Sequence, residues 1–480
     1  MLFNSYEFIL LFLPITLFIY FYLSHRKLFR LAKGFLLFSS LFFYAWWSLK
    51  YVPIILFSIV FNFVLGNIIL KHKSKKALLF GVVINILLLA YFKYSNFFID
   101  NINHLFNQNI TFPHLMLPLA ISFFTFQQIS YLVDSYKDEV KECNFLQYAL
   151  FVLFFPQLIA GPIVHHKEMI PQFTNLKNML INYKNIIMGI YIFSIGLFKK
   201  VIIADTFAIW ATNGFDKAIE LNLFEAWATA LSYTFQIYFD FSGYTDMAIG
   251  LALLFNIKLP INFYSPYKAT NIQDFWRRWH ITLSRFLRDY VYIPLGGSRV
   301  HEIRIYLNLL TTFLIGGIWH GAGWTFIFWG FLHGLALIIY RVWSKLQIKL
   351  YTPFAWFITF IFLNVSWVFF RAKEWSDAIK VLDNMFSLNN IVLPTMLENR
   401  LNFLSNYGIL FGRFTQNIDA NFDIILWLSC GLIVTLLCKN SIDKLNSFRL
   451  NYYTAIFSAI TFSIGLLSLN KVSEFLYFNF

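Results

Sequence analysis

Apolar runs recur along almost the whole of this 480-residue chain. A helix needs about 20 apolar residues to cross the hydrocarbon of a bilayer, where it satisfies its own backbone hydrogen bonds. The runs lie near 6–23, 34–49, 51–70, 77–97, 115–135, 147–164, 185–203, 226–256, 305–320, 324–343, 352–370, 422–438 and 453–470. The sequence therefore predicts an all-α, polytopic membrane protein with about eleven to thirteen transmembrane or re-entrant helices.

The charged residues set the topology of such a protein rather than a nucleic-acid interface. Only 13% of the chain is charged and the net charge is +14. The lysines and arginines cluster in short loops such as 24–33 and 71–76, whereas 98–114 has none. Because basic loops face the cytoplasm, we expect the N-terminus to lie on the extracytoplasmic side. No nucleic-acid partner is expected.

Helix-breaking and charged residues interrupt two runs in the middle of the chain. Pro156, Gly161 and Pro162 fall in 147–164, and Asp240 and Gly243 fall in 226–256. We predict re-entrant or broken helices at both places. The long polar insertion 371–421 lies outside if 226–256 enters and leaves on the cytoplasmic side. The whole of 1–480 is expected to be one membrane domain with a motif-rich core at 122–334.

The segment 271–290 reads as a single amphipathic helix. At about 100° per residue, Arg277, Arg278, Arg285 and Arg288 share one arc. The opposite side carries Phe275, Trp276, Trp279, Leu283, Phe286, Leu287 and Tyr290. Such a helix lies in the membrane interface and anchors to anionic lipid. Alternatively, some of the arginines bind the phosphates of a cytoplasmic donor such as coenzyme A, because the guanidinium fork binds phosphate oxygens in pairs.

Two histidines stand in apolar, tryptophan-rich sequence, where an ionisable side chain is a functional candidate. His280 ends DFWRRWH (274–280), and His320 lies in IGGIWHGAGW (315–324). Burial should keep the His320 ring neutral and able to accept a proton, as acyl transfer to a hydroxyl requires. The alternative is a packing histidine bonded to a backbone carbonyl. His333 is a weaker candidate on the following helix.

The remaining polar residues give weaker signals. Asp240 and Asp246 lie inside an apolar run, where a structural ion pair is favoured over a catalytic role. The histidines of the polar loops, His165 and His166 among them, are expected to be solvated. Three scattered cysteines and the lack of a convergent ligand pattern predict neither a disulfide framework nor a metal site. Neither a nucleophile elbow nor a phosphate-binding loop is present.

Several segments together resemble the membrane-bound O-acyltransferases, in the alginate O-acetyltransferase-like branch that includes the peptidoglycan O-acetyltransferase membrane subunit. The matching segments are SFFTFQQISYLVDSYK (122–137), FPQLIAGPI (155–163), GLFKKVIIAD (196–205), IYFDFSGYTDMAIG (237–250), LPINFYSPYKATNIQDFWRRWHITLSRFLRDYVYIPLGGSR (259–299) and LIGGIWHGAGWTFIFWGFLHG (314–334). The terminal FLYFNF is similar to the aromatic tail of this branch.

The resemblance implies that His320 is the principal catalytic residue and His280 the second. We expect Trp319 and Trp324, which flank His320, to contact the substrates, and we include Asp240 and Asp246 with them. The resemblance also implies a tunnel in which cytoplasmic acetyl-CoA meets an extracytoplasmic hydroxyl. It further implies the inner membrane of a bacterium, a periplasmic SGNH-type acetyltransferase as partner, and a polysaccharide as final acceptor.

The identity of the polysaccharide is the most open part of this hypothesis. Peptidoglycan is preferred over alginate because the chain is rich in Lys, Asn, Ile and Phe, as AT-rich genomes encode. D-Alanyl transfer to teichoic acid, acylation of a lipid, a purely structural subunit, and a transporter that uses the histidines as a proton relay are the alternatives. Transporters often have paired symmetric halves, which this sequence does not display.

Overall fold

The structure, a computed structural model, describes residues 1–113, 115–140, 144–388, 390–469 and 476. Its α-helices, in chain order, are α1 (Leu13–His25), α2 (Phe29–Ala45), α3 (Val52–His72), α4 (Lys75–Lys93), α5 (Ser95–Phe106), α6 (Ile121–Tyr136), α7 (Phe145–Leu153), α8 (Phe155–Leu158), α9 (His166–Thr174), α10 (Tyr183–Phe198), α11 (Asp205–Thr212), α12 (Leu223–Leu254), α13 (Ile272–Trp276), α14 (Ile281–Leu287), α15 (Glu302–His320), α16 (Trp324–Lys345), α17 (Thr352–Arg371), α18 (Trp375–Phe386), α19 (Glu398–Leu401), α20 (Asp423–Leu436), α21 (Ser441–Asn446) and α22 (Tyr452–Leu467).

Shorter elements complete the described chain. The π-helical turns are Glu7–Phe12, Lys199–Ala204, Asn213–Lys217 and Arg288–Tyr292, and the 3₁₀ turns are Leu49–Tyr51, Leu176–Met179, Pro266–Lys268, Thr395–Leu397 and Asn402–Tyr407. Strands β1 (Val392–Pro394) and β2 (Leu410–Gly412) pair in parallel, with Val392 opposite Leu410. Cys143 and all of FLYFNF except Leu476 lie outside the described residues.

Every predicted apolar run coincides with a helix or with a broken pair of helices. Within the described residues, six helical stretches are long and apolar enough to cross a membrane, and α20 and α22 are shorter apolar helices. The six are Glu7–His25, Leu49–His72, Lys75–Lys93, Tyr183–Lys217, Trp324–Lys345 and Thr352–Arg371. The all-α, multi-pass architecture is thus confirmed. The exact number of crossings and the tunnel stay predictions.

The chain divides into two compact units. The first comprises Met1–Phe198, Gly243–Asn262 and the described residues from Leu445 onward. The second comprises Lys199–Ser242 and Phe263–Lys444. Helix α12 contributes residues to both units. The expectation of one membrane domain stays a prediction.

Close helix contacts in the first unit are made by glycine. A Cβ added to Gly189 of α10 would lie 2.7 Å from the carbonyl oxygen of Gly250 on α12. A Cβ added to Gly196 would lie 2.5 Å from the carbonyl oxygen of Gly243. The two helices therefore touch backbone to backbone, as small residues permit in membrane proteins.

The predicted break at 147–164 is confirmed. Helix α7 begins at a capping box in which the side chains and backbones of Asn144 and Gln147 bond reciprocally, and it ends at Leu153. Helix α8 has only four residues and carries Pro156 in its first turn. Phe154, with φ of −50° and ψ of 107°, separates the two helices. Because Pro156 has no N–H donor and its ring would clash with the preceding turn of a continuous helix, it is tolerated only at the start of the new helix.

The predicted interruption at Asp240 and Gly243 is wrong. Helix α12 runs for 32 residues without a break, a length of about 48 Å. Two contacts explain the continuity. The carboxylate of Asp240 pairs with Lys200 at 2.6 Å, so its charge is compensated inside the helix. Gly243, in turn, provides the close contact with α10 described above. The assumption that 226–256 turns back therefore fails, because an unbroken helix of 32 residues cannot reverse its direction.

The insertion 371–421 packs against the N-terminal end of α12 within the second unit. Glu225 and Asn222 form a reciprocal cap at that end, with both bonds 3.0 Å long. The backbone N–H of Asn417 then donates to Glu225 at 2.7 Å. Arg371 binds the carboxylate of Asp216 at 2.6 Å. The insertion is thus attached to this end of α12 by buried or half-buried polar contacts.

The prediction of one amphipathic helix over 271–290 is also wrong. Helix α13 ends at Trp276 and α14 begins at Ile281, and His280 between them adopts a left-handed conformation with φ of 42°. The carbonyl of Arg278, which would accept a hydrogen bond within a continuous helix, instead accepts one from the backbone N–H of Tyr264 at 2.9 Å. The predicted apolar face of this segment is confirmed in part. Its buried residues are Phe275, Trp276, Trp279, Leu283, Phe286 and Leu287.

Candidate active site

The two motif histidines, forty residues apart in sequence, come together in the second unit. Their ring centroids lie 6.4 Å apart, with the planes at 61°. His280 is fully buried and His320 is 4% exposed. An imidazole pair at this spacing can address one small substrate group, or pass a proton through one intervening group.

The pair lies beside the middle of α12. The ring of Phe241 stands edge-on to His280, with centroids 4.8 Å apart. Phe241 is about 27 Å from the start of α12 and about 20 Å from its end. His280 therefore lies beside the central part of α12. The interfacial position expected for 271–290 stays a prediction.

His320 is presented by a tight helical hairpin. It is the last residue of α15, and Gly321, Ala322 and Gly323 link it to α16. A Cβ on Gly317 would lie 2.4 Å from the carbonyl oxygen of Phe326, and one on Gly330 would lie 2.4 Å from that of Phe313. Only glycine allows α15 and α16 to approach this closely, so the glycine-rich sequence around the histidine sets its position.

Aromatic rings enclose His320. Trp319, Trp329 and Phe370 have ring centroids 4.9, 5.2 and 5.0 Å from it. Trp319 also lies 6.2 Å from His280, so it borders both histidines. Trp324, the other predicted contact residue, is 61% exposed at the start of α16. Neither Trp329 nor Phe370 was identified from the sequence, because an aromatic residue in an apolar helix carries no distinguishing signal.

His333 has a structural set of partners. The indole N–H of Trp276 donates to its Nδ1 at 3.2 Å, so Nε2 carries the proton. Nε2 lies 3.1 Å from the hydroxyl of Ser366, which donates in turn to the carbonyl of Leu363 at 2.9 Å. Both ring nitrogens therefore serve a chain of hydrogen bonds linking α13, α16 and α17. This arrangement favours the packing interpretation for His333.

The four arginines of 271–290 differ in surroundings. Arg277 and Arg288 are exposed, whereas Arg278 and Arg285 are half-buried. Arg278 binds Asp274 one helical turn away at 2.9 Å. Arg288 binds the adjacent Asp289 at 2.7 Å, and this bond raises the pKa of its guanidinium. The break at His280 means that one helix does not align them, contrary to prediction.

The carboxylates predicted inside the apolar run have different positions. Asp240 lies next to Phe241 and binds Lys200, which also binds Asp205 at 2.8 Å. The expected structural ion pair is present for Asp240. Asp246 is 3% exposed and belongs to the first unit. Lys200 was not singled out from the sequence, yet a lysine within an apolar run, in a chain that also buries an aspartate, was a readable signal.

One loop histidine is not solvated as predicted. His166 is 3% exposed, its Nδ1 lies 3.4 Å from the carboxylate of Asp134, and burial lowers its pKa. Its Nε2 lies 3.3 Å from the carbonyl of Glu139. Among the described residues, no three His, Cys, Asp or Glu side chains converge as metal ligands.

Comparisons with known proteins agree with this architecture. Residues 10–372 match the family described as MBOAT, membrane-bound O-acyltransferase. A peptidoglycan O-acetyltransferase of Helicobacter pylori is 48% identical, in an alignment that covers 100% of this chain and 98% of the relative.

Two less similar relatives are named for other polymers. A probable alginate O-acetylase of Pseudomonas aeruginosa is 40% identical over 84% of this chain and 78% of its own length. A teichoic acid D-alanyltransferase of Streptococcus thermophilus is 30% identical over 47% of this chain and 57% of its own length. The match to the family extends over both motif histidines and most of the predicted helices. The chain belongs to the membrane-bound O-acyltransferase family, and it is a multi-pass membrane acyltransferase.

Proposed function

We propose that this protein transfers acetyl groups from cytoplasmic acetyl-CoA to a hydroxyl on the other side of the bacterial inner membrane, for O-acetylation of peptidoglycan. The observation that carries the proposal is the pairing of His280 and His320 beside the middle of α12. The peptidoglycan O-acetyltransferase relative, which aligns along the whole chain, supports the choice of acetyl group and polymer. The basic loops face the cytoplasm, and the N-terminus and the insertion 371–421 face outward.

In the proposed reaction, His320 acts as the general base. Its ring takes the proton of the acceptor hydroxyl as the oxygen attacks the thioester carbonyl carbon. The new C–O bond forms, the C–S bond of acetyl-CoA breaks, and the thiolate leaves. The imidazolium then returns the proton to the thiolate, which restores neutral His320 and yields coenzyme A. A neutral base is favoured here because the surrounding rings of Trp319, Trp329 and Phe370 offer little solvation to a charge.

His280 has a supporting role in this proposal. At 6.4 Å from His320 its ring is too distant for a direct bond and close enough to hold the acceptor hydroxyl or the thioester oxygen between them. Its left-handed backbone, fixed between α13 and α14, aims the ring at this position. We assign it orientation of the acceptor or relay of the proton.

The donor is held by cationic residues of the α13–α14 segment. Arg277 is exposed and Arg285 half-buried, and they bind the phosphates of acetyl-CoA. Arg278 and Arg288, which bind Asp274 and Asp289, orient the segment. A tunnel joins this donor site to the histidines and continues to the other side, and it admits the donor thioester to the 4% exposed face of His320. No metal takes part in the proposed step.

The acetyl group leaves through a partner. We propose that the serine of a periplasmic SGNH-type acetyltransferase accepts the acetyl group and that this partner then transfers it to the polymer. The alternative is direct transfer to a sugar hydroxyl. Alginate or another exopolysaccharide is the second candidate polymer, supported by the alginate O-acetylase relatives. Mass spectrometry of muropeptides and secreted glycans from cells with and without the protein identifies the polymer.

The decisive test is transfer by the purified protein in nanodiscs with radiolabelled acetyl-CoA, with the partner or muropeptides as acceptor. His320→Ala should lose label transfer and acetyl-CoA consumption together. His72→Ala, which removes an exposed histidine, is the matched control and should retain the wild-type rate. Wild-type turnover by His320→Ala would remove His320 from the mechanism. Acetyl-group movement that follows a proton gradient without consumption of acetyl-CoA would indicate a transporter instead.

A further inference from the structure

The first unit contains an open apolar groove, whereas both motif histidines belong to the second unit. It is lined by Leu17, Phe18 and Phe21 of α1, by Ile181 just before α10, and by Ile186 in the first turn of α10. The groove encloses about 380 Å³, within the range of roughly 300–1,000 Å³ of small-molecule sites. Almost all of its lining is apolar, which suits a hydrocarbon chain.

The groove opens sideways along a membrane helix. Phe18 is 72% and Ile181 is 50% exposed. The stretch Glu7–His25 is one of the six that are long and apolar enough to cross a membrane. The exposed lining therefore meets lipid rather than water, and a bilayer lipid has direct lateral access to it.

Cationic groups border one end of the same groove. Tyr22 and His25 line this end, and the guanidinium of Arg26 lies 5.5 Å from the centre of the Tyr22 ring. Lys27 turns the chain toward α2 with a φ of 60°. Lys184, exposed, lies in sequence between the two isoleucines that line the groove. An apolar channel that ends among basic side chains matches the two parts of an anionic phospholipid.

We propose that this groove is a binding site for an anionic phospholipid. One acyl chain lies along Leu17, Phe21 and Ile186, and the phosphate lies among His25, Arg26 and Lys27. The occupant comes from the bilayer leaflet that the basic loops face. The proposal does not depend on the acyl-transfer reaction, because its residues lie in the first unit and both motif histidines lie in the second.

The test is lipid titration by native mass spectrometry of the full chain, with dioleoyl phosphatidylglycerol and dioleoyl phosphatidylcholine as probes. The double substitution Arg26→Gln and Lys27→Gln should lower the apparent affinity for phosphatidylglycerol about 25-fold, at about fivefold per charge. The affinity for phosphatidylcholine should stay unchanged. The matched control is Lys75→Gln with Lys76→Gln, which removes two exposed charges from the start of α4 in the same unit.

A second measurement keeps the proposal testable if the double variant does not fold. Phosphatidylglycerol with a diazirine in one acyl chain, bound to the wild-type protein, should label peptides 13–25 and 181–188. Leu17→Trp should reduce this labelling by filling the groove. Equal affinity of the wild type for the two phospholipids, an equal loss in the control variant, or labelling spread over all membrane helices would overturn the proposal.

Discussion

Lys200 and Asp240 form an ion pair of 2.6 Å in which neither side chain is more than 3% exposed. Asp205 also binds this lysine at 2.8 Å, so one ammonium serves two carboxylates. Removing the lysine charge should therefore destabilise the folded protein more than removing one carboxylate does. Breaking a buried pair by deleting one partner typically costs about 3–5 kcal/mol.

We expect Lys200→Met to destabilise the protein by about 3–5 kcal/mol, because two carboxylates would remain together in apolar surroundings. Asp240→Asn should cost less, since Lys200 keeps Asp205. Thermal unfolding in detergent measures both. Asp216→Asn is the control, because its pair with Arg371 is more exposed, at 19% and 12%, and should lose the least. Equal losses in all three variants would contradict the special role of the lysine.

The two motif histidines should behave as one catalytic unit. If they act on the same transfer step, the double variant His280→Asn with His320→Ala should be no slower than the slower single variant. Asparagine is chosen at 280 because it tolerates the left-handed backbone better than alanine. The measurement is single-turnover label transfer. Rate losses that multiply would show that the two rings act independently.

His333 should matter for stability and not for chemistry. Trp276→Phe removes the donor to Nδ1, leaves a buried acceptor unsatisfied, and should cost about 1–3 kcal/mol. His333→Gln, which can retain one bond, should cost a similar amount. The folded fraction of each variant should keep the kcat of the wild type. A fall in kcat with unchanged melting temperature would instead assign His333 to the reaction.

The α15–α16 hairpin should not tolerate a side chain at its crossing. Gly330→Ala and Gly317→Ala would each place a Cβ 2.4 Å from a backbone oxygen, and we expect a loss of about 1–3 kcal/mol. Transfer activity should fall as well, because the hairpin places His320. Gly34→Ala is the matched control: nothing lies within 4 Å of its added Cβ, so stability should stay the same or rise slightly. Melting temperature and rate together check the prediction.

Donor binding should depend on Arg277. Its substitution by glutamine should raise KM for acetyl-CoA about tenfold with little change in kcat, since a charged hydrogen bond to phosphate contributes about 1.5 kcal/mol. Raising the salt concentration should shrink the difference between variant and wild type. Arg304→Gln, an exposed arginine on α15, is the control. A lower kcat with unchanged KM would place Arg277 outside the donor site.

The helices were predictable from sequence because a membrane run is a local property, whereas the breaks depended on distant partners. Pro156 stops a helix by its own covalent structure, and the prediction there is confirmed. The same prediction at Asp240 is wrong, because Lys200, forty residues earlier, compensates its charge. The hydrogen bond between Tyr264 and Arg278 that divides 271–290 was likewise invisible to a helical wheel.

The candidate site likewise combines residues that were recognisable in the sequence with contacts that were not. Two histidines in apolar sequence were recognisable as candidates one by one, and their proximity was not. The hydrogen-bond partners of His333, which favour a structural role, lie on two other helices, α13 and α17, and could not be read from sequence. The rings around His320 come from three helices in the same way.

The continuous α12 also changes the expected path of the chain. If α12 crosses the membrane, the segment that enters and leaves on the cytoplasmic side is instead the broken pair α7 and α8. The insertion 371–421 then still faces outward, together with the N-terminal end of α12 that it contacts. Cysteine labelling from each side, at positions 177 and 400, tests this path.

The hydrogen bond from the backbone N–H of Asn417 to Glu225 makes the insertion 371–421 contribute to the cap of α12. Shortening the insertion would remove a hydrogen-bond donor from the fully buried carboxylate of Glu225 at the N-terminal end of α12. A trimmed version of the protein designed for crystallisation should therefore keep 410–420 intact. Epitope tags belong elsewhere, for example in the exposed turn 346–351, where the chain can lengthen without disturbing a cap.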